Sequence, residues 1–346
     1  MLTSEVGAGQ KTMANLYITE QGSVLCKTGE RLIVRKEDEI LLDVQCDKID
    51  AVLIFGNVQF TTQAVRKLFE HNIELALLTR TGRLIGQLTP PMPKNIELRM
   101  TQYERYKDKD FVLRISKAIV TGKLKNSLQV LRRFSYNHPE VKLDNEAKGL
   151  ERLLIEMQSK SSIPELMGIE GSGAKIYFSG FSKMMRGEFD FKGRKKRPAP
   201  DPVNALLSFG YTLLFNEISS FLDGIGFDPY IGFFHRVDYG RPSLAADLIE
   251  EFRAPAIDRL TLKLVNNHIF TLKDFSPHPK SGSIYLKREK MRRYLEEYEI
   301  YISYEFDHPE KGEKSNLRKC FREQIYKLAQ TIMEKKDYLP FHLERK

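Results

Sequence analysis

Residues Asp201 to Arg253, DPVNALLSFGYTLLFNEISSFLDGIGFDPYIGFFHRVDYGRPSLAADLIEEFR, leave this chain few ways to fold. Asp201 is placed to cap a helix and Pro202 to open it, where its missing N–H costs nothing. Val203, Leu206, Leu207, Gly210, Leu213, Leu214, Ile218 and Phe221 then recur at three- and four-residue steps, an apolar stripe of helical period. Gly224 and Gly226 mark its end. An aromatic run follows (Tyr230, Ile231, Phe233, Phe234) and delivers one histidine, His235. Pro242 and Ser243 restart a helix that carries Asp247 and Glu250, spaced i and i+3 and so on one face.

At 346 residues the chain is long enough to bury a large core and to divide into two domains. No apolar run approaches the roughly 20 residues that span a bilayer, and the N-terminus lacks a signal architecture. The cysteines, Cys26, Cys46 and Cys320, are scattered and odd in number, which argues against a disulfide framework or a zinc knuckle. The expected compartment is the cytoplasm. A formal net charge of +9 biases the surface towards polyanions. Basic clusters at Lys192–Arg197 and Lys287–Arg293 suit phosphate contact, although solvated helix faces explain such runs equally well.

Residues 1–14 read as a loose tail. From 15 to 89, short β-rich runs with Gly, Asn and Asp between them predict a small β domain, interrupted by one helix over Thr62–His71. The prolines of 90–97 form a linker. Beyond it the periods are helical, with helices expected over Leu98–Thr121, Lys123–Phe134 and Asn145–Ser159. The fold class is therefore α+β, a small N-terminal β domain followed by a larger all-α catalytic domain over 98–346. Lys192–Asp201, basic and proline-containing, reads as a loop. Gly168–Phe178 (GIEGSGAKIYF) has two readings. As a phosphate loop it lacks the lysine spacing and the preceding strand. As a closely packed helix it presents Glu170.

His235 is the histidine flanked by aromatics and closely followed by paired acids. Residues of this kind are often core histidines and helix-face charges, with Arg253 a ready partner for the acids. If Glu170, His235, Asp247 and Glu250 converge, they offer one imidazole and an excess of carboxylates. That is a hard, oxygen-rich set suited to Mg²⁺ or Mn²⁺. An open site of that kind in a basic protein points to metal-dependent phosphodiester chemistry on DNA.

GIEGSGAKIYF, DPVNALLSFGYTLL, GFFH and SLAADLIEEFR, in that order behind a β-rich segment, carry a resemblance. From Asn15 onward the chain resembles the CRISPR-associated Cas-one (Cas1) endonuclease/integrase family. The resemblance implies that Glu170, His235 and Glu250 bind the divalent ion, with Asp247 the adjacent family acid. It leaves open how Asp247 and Glu250 divide their work. It also implies a homodimer in a heterocomplex with a Cas-two (Cas2) dimer, acting on double-stranded and branched DNA. In CRISPR adaptation such a complex inserts short fragments, new spacers, into an array by transesterification. Two other readings stay open: a catalytically silent DNA-binding assembly subunit, and a structure-specific nuclease that does not integrate. Tyr177 and Tyr211, beside the motifs, either fill core or stack on a splayed base.

Overall fold

The computed structural model describes residues 14–90, 95–195, 198–279, 281–308, 311–334 and 336–343. Most of the expected tail, residues 91–94 of the linker, and Lys196 and Arg197 of the basic run lie outside them. The chain forms two compact units, one holding the residues up to the proline segment together with Lys287–Ser303, the other holding the rest.

Among the described residues of the first unit, apolar β-rich runs produce eight strands: β1 (Ala14–Ile18), β2 (Val24–Thr28), β3 (Arg31–Lys36), β4 (Glu39–Gln45), β5 (Ile49–Phe55), β6 (Gln59–Phe60), β7 (Glu74–Leu78) and β8 (Leu84–Leu88). One sheet runs β1-β5-β7-β8 and the other β4-β3-β2-β6. β5 and β7 are parallel, joined through α1 (Thr62–Glu70), which Thr61 caps by accepting from Ala64 N at 3.2 Å. Both sheets and α1 share one core, from Leu16 and Leu25 to Val52, Leu68 and Leu75.

The second unit is built on α2 (Ile96–Lys107), α3 (Lys109–Asn137), α4 (Asp144–Glu156), α5 (Ile163–Lys183), α6 (Pro202–Ile225), α7 (Ser243–Phe252) and α8 (Arg259–Asn266). After these, α9 (Arg288–Ser303) belongs to the first unit, and α10 (Leu317–Glu334) completes the second. Residues 287–303 fall within the span 98–346 expected for the helical domain. The structure groups α9 with the β unit, where the Tyr17 hydroxyl donates to Glu299 at 2.5 Å and both side chains are buried. Nor is the second unit all-α, because Phe275–Pro277 pairs with Ile284–Leu286 and Phe306–Asp307 with Lys314–Ser315.

The expected helix breaks also move. Asp108 interrupts the first long helix by capping α3, its Oδ1 accepting from Asp110 N at 3.1 Å and Phe111 N at 3.0 Å. Gly122 breaks nothing. α3 runs straight through it, and a Cβ there would lie 2.7 Å from Pro340 Cβ, so a small residue is needed for packing. α6 follows expectation: Asp201 Oδ1 accepts from Asn204 N at 2.8 Å, and Gly226 closes the helix at φ 105°. By length and composition α6 could cross a membrane, but 67% of its apolar window is buried inside the protein, which makes it a core helix.

Candidate active site

A cleft of about 980 Å³ opens in the second unit, and Glu170, His235 and Glu250 all line it. Three elements bring them together. Glu170 comes from α5, in line with the helical reading of Gly168–Phe178, and it reaches the cleft because α5 packs closely on α3. At Gly173 a Cβ would stand 2.3 Å from Leu124 Cδ2, so any larger residue has to displace that side chain where the helices meet. His235 ends the aromatic loop after α6. Phe233 and Phe234 anchor that loop in the core, the former edge-on to Phe111 at 5.6 Å. Glu250 projects from α7, which is buried along its whole length.

Asp247 points away from the ion-binding role. Its Oδ2 accepts from Phe233 N at 2.6 Å and Phe234 N at 3.0 Å, while its Oδ1 accepts from His235 N at 2.8 Å. Oδ1 also lies 2.8 Å from His235 Nδ1. An acceptor already serving backbone donors places a hydrogen on Nδ1, so in the neutral ring Nε2 is the nitrogen that carries the lone pair. Asp247 thus shapes the loop and sets the imidazole tautomer, and it is fully buried while doing so.

Lys123 on α3, which sequence reasoning did not single out, sits between the two glutamates. Its ammonium contacts Glu170 Oε1 and lies 2.7 Å from Glu250 Oε2. Arg253 Nε donates to the other Glu250 oxygen at 3.1 Å. Burial pushes the Glu250 carboxyl up, but the Arg253 and Lys123 charges outweigh it and hold the group at about 2. Among the described residues no three His, Cys, Asp or Glu side chains stand close enough together to hold a metal ion as they are, and at Glu170 and Glu250 it is the Lys123 ammonium that stands between the carboxylates.

Beyond Glu250, the helix widens into a π-turn over Arg253–Asp258 that contains Pro255. Arg253 and Asp258 both line the cleft. The Arg253 guanidinium lies 4.5 Å from the centre of the Tyr211 ring, and the Tyr211 hydroxyl donates to Asp258. Burial raises Asp258 to about 6 against that hydrogen bond. Tyr177 and Tyr211 are both buried, and both also line the cleft.

Two further residues hold the frame. Gln102 on α2 donates to Asp228 O at 2.9 Å and Ile231 O at 3.0 Å, tying down the loop that delivers His235. Asn126, one turn beyond Lys123, donates to Glu251 O and Phe341 O, both at 2.8 Å, and so links α3, α7 and the C-terminal segment. Neither stands out in sequence, because a buried amide and an exposed one read alike.

The family described as CRISPR associated protein Cas1 matches residues 16–300, which include all four site residues. The chain belongs to the Cas1 family. A CRISPR-associated endonuclease Cas1 of Thermus thermophilus is 34% identical over 94% of this chain and 96% of its own. Among solved structures, a casposase bound to integration product is similar at a TM-score of 0.84 and 26% identity, covering 96% of each chain. The fold also matches a chain of a Cas6-RT-Cas1–Cas2 complex at a TM-score of 0.82 and 23% identity, over 99% of this chain and 38% of that one. Membership of the Cas1 family makes the chain a CRISPR-associated endonuclease with an integrase role in CRISPR adaptation.

Proposed function

We propose that this Cas1-family chain joins short DNA fragments to a CRISPR array by transesterification, using a divalent-ion site made of Glu170, His235 and Glu250. One observation carries the reading: these three side chains line one cleft that already accommodates a cation, the Lys123 ammonium, between its two carboxylates. Two carboxylates and one imidazole nitrogen fit Mg²⁺ or Mn²⁺, both of which prefer oxygen-rich sets. When bound, the ion would supply Lewis-acid polarisation of the phosphoryl oxygen and activation of the attacking hydroxyl.

The chain's own residues prepare that chemistry. Lys123 and Arg253 keep Glu250 anionic, and Asp247 anchors His235 through Nδ1, so Nε2 is the ring nitrogen left to bind an ion. Lys175, Lys183, Lys192 and Arg194 line the same cleft and would grip phosphates without reading sequence. The 3′-hydroxyl of the fragment attacks a phosphodiester at the repeat end. A P–O bond forms as another breaks and releases a new 3′-hydroxyl, so one diester replaces another without an external energy source. Positioning of the two DNAs supplies the in-line geometry. We place the reaction in the cytoplasm, in a homodimer assembled with Cas2 on double-stranded or branched DNA.

The test is a set of three variants, Glu170→Ala, His235→Ala and Glu250→Ala, assayed for Mn²⁺-dependent cleavage of branched DNA and for DNA binding. Each variant is expected to lose cleavage and keep binding within a fewfold. Retained cleavage in all three would remove this site from the mechanism. Tight binding with no metal-dependent product from the wild type would favour a silent assembly subunit.

A further inference from the structure

We propose that Lys123 is a built-in counter-cation: it holds Glu170 and Glu250 together before an ion arrives, and a divalent ion must displace it to enter. The inference rests on the ion-site reading above and concerns a residue that the ligand set does not include.

Charge and packing carry it. Lys123 touches both glutamates, and its side chain is only 15% exposed, against 25% for Glu170 and 6% for Glu250. Arg253 occupies the second oxygen of Glu250. Two carboxylates are therefore matched by two cations. A divalent ion added to this matched Glu170–Glu250 pair would bring two more positive charges into a largely buried setting beside Lys123 and Arg253, which is costly. Either a cation leaves or an anion arrives.

The two cations differ in their freedom to move. The Arg253 guanidinium is planar, permanently charged and laid over Tyr211, so it is fixed. Lys123 carries a compact ammonium on a flexible four-carbon stem beside an open cleft. Lys123 is the group that swings. DNA phosphates entering the same cleft would receive the displaced ammonium, so DNA and ion should each strengthen binding of the other.

The experiment is calorimetric titration of Mn²⁺ into the full chain without DNA, comparing wild type, His235→Ala and Lys123→Gln. Glutamine keeps most of the side-chain length and removes the charge. Lys123→Gln is expected to bind Mn²⁺ at least about tenfold more tightly than wild type, and a short duplex should enhance its Mn²⁺ affinity less. A purely structural salt bridge gives the opposite result, because its loss lets the ligands drift apart. Unchanged or weaker Mn²⁺ binding by Lys123→Gln, with His235-dependent binding intact, overturns the proposal. Equal binding by wild type and His235→Ala overturns the ion site itself, and the proposal with it. If Lys123→Gln does not fold, amine labelling of Lys123 in the wild type decides: Mn²⁺ should increase labelling, and no increase overturns the proposal.

Discussion

Asp247 and His235 are neighbours in the site with opposite stakes in the fold. Replacing Asp247 by alanine leaves the backbone N–H groups of Phe233, Phe234 and His235 without their acceptor. At about 1–3 kcal/mol for each buried orphan, the loss comes to roughly 3 kcal/mol or more. Removing the His235 ring leaves that loop intact and should cost only about 1 kcal/mol. Denaturant unfolding of the two variants should therefore separate them clearly; equal losses would contradict the positioning role of Asp247. Asp258 gives a pH test. Its folded value of about 6 exceeds the usual value near 3.9, so the folded state keeps a proton that the unfolded chain sheds. The stability it contributes is present below about pH 4 and lost as pH rises towards 6. Glu250 works in reverse, with stability present above about pH 4.3 and lost as pH falls towards 2. Melting curves for Asp258→Asn should decline less than wild type between about pH 4 and 6, and parallel curves would refute this account.

At the scale of elements, the site depends on how closely α5 lies on α3. Gly173 sits one turn past Glu170, and Leu124 directly follows Lys123, so the helix contact and the ion pair share one register. Gly173→Val should force the helices apart at a cost of about 1–3 kcal/mol and weaken ion binding along with stability. A variant with wild-type melting and wild-type Mn²⁺ affinity would show that the close approach is dispensable. Much of this was legible in the residues. The caps of α6, the buried aromatic loop and the i, i+3 acids on α7 all follow local rules. The break at Asp108 was missed because an acid inside a helical period looks like one more exposed charge until its side chain turns back onto the backbone. Lys123 was hidden for a similar reason. A lysine within GKLKN reads as a solvated face, and only the packing of α3 against α5 and α7 carries it to the glutamates. The grouping of α9 with the β unit rests on contacts between residues far apart in the chain, Tyr17 with Glu299 among them.

For the molecule as a whole, the formal charge of +9 acquires a direction from the cleft, where several lysines and arginines surround the three candidate ligands. Binding through phosphates releases counterions, so affinity for a short duplex should fall steeply with salt. Six to ten phosphate contacts correspond to a loss of roughly 10³–10⁵ between 50 and 200 mM. A salt-independent affinity would mean that the cleft does not hold the DNA backbone. The central claim is that Glu170, His235 and Glu250 perform strand transfer. Its most direct test is the joining of a labelled short duplex to a supercoiled plasmid carrying a repeat, with Cas2 and Mn²⁺ present, for wild type beside His235→Ala. Metal-dependent joined product is expected from the wild type and none from the variant. Joined product from both, or only free ends from the wild type, would contradict the claim.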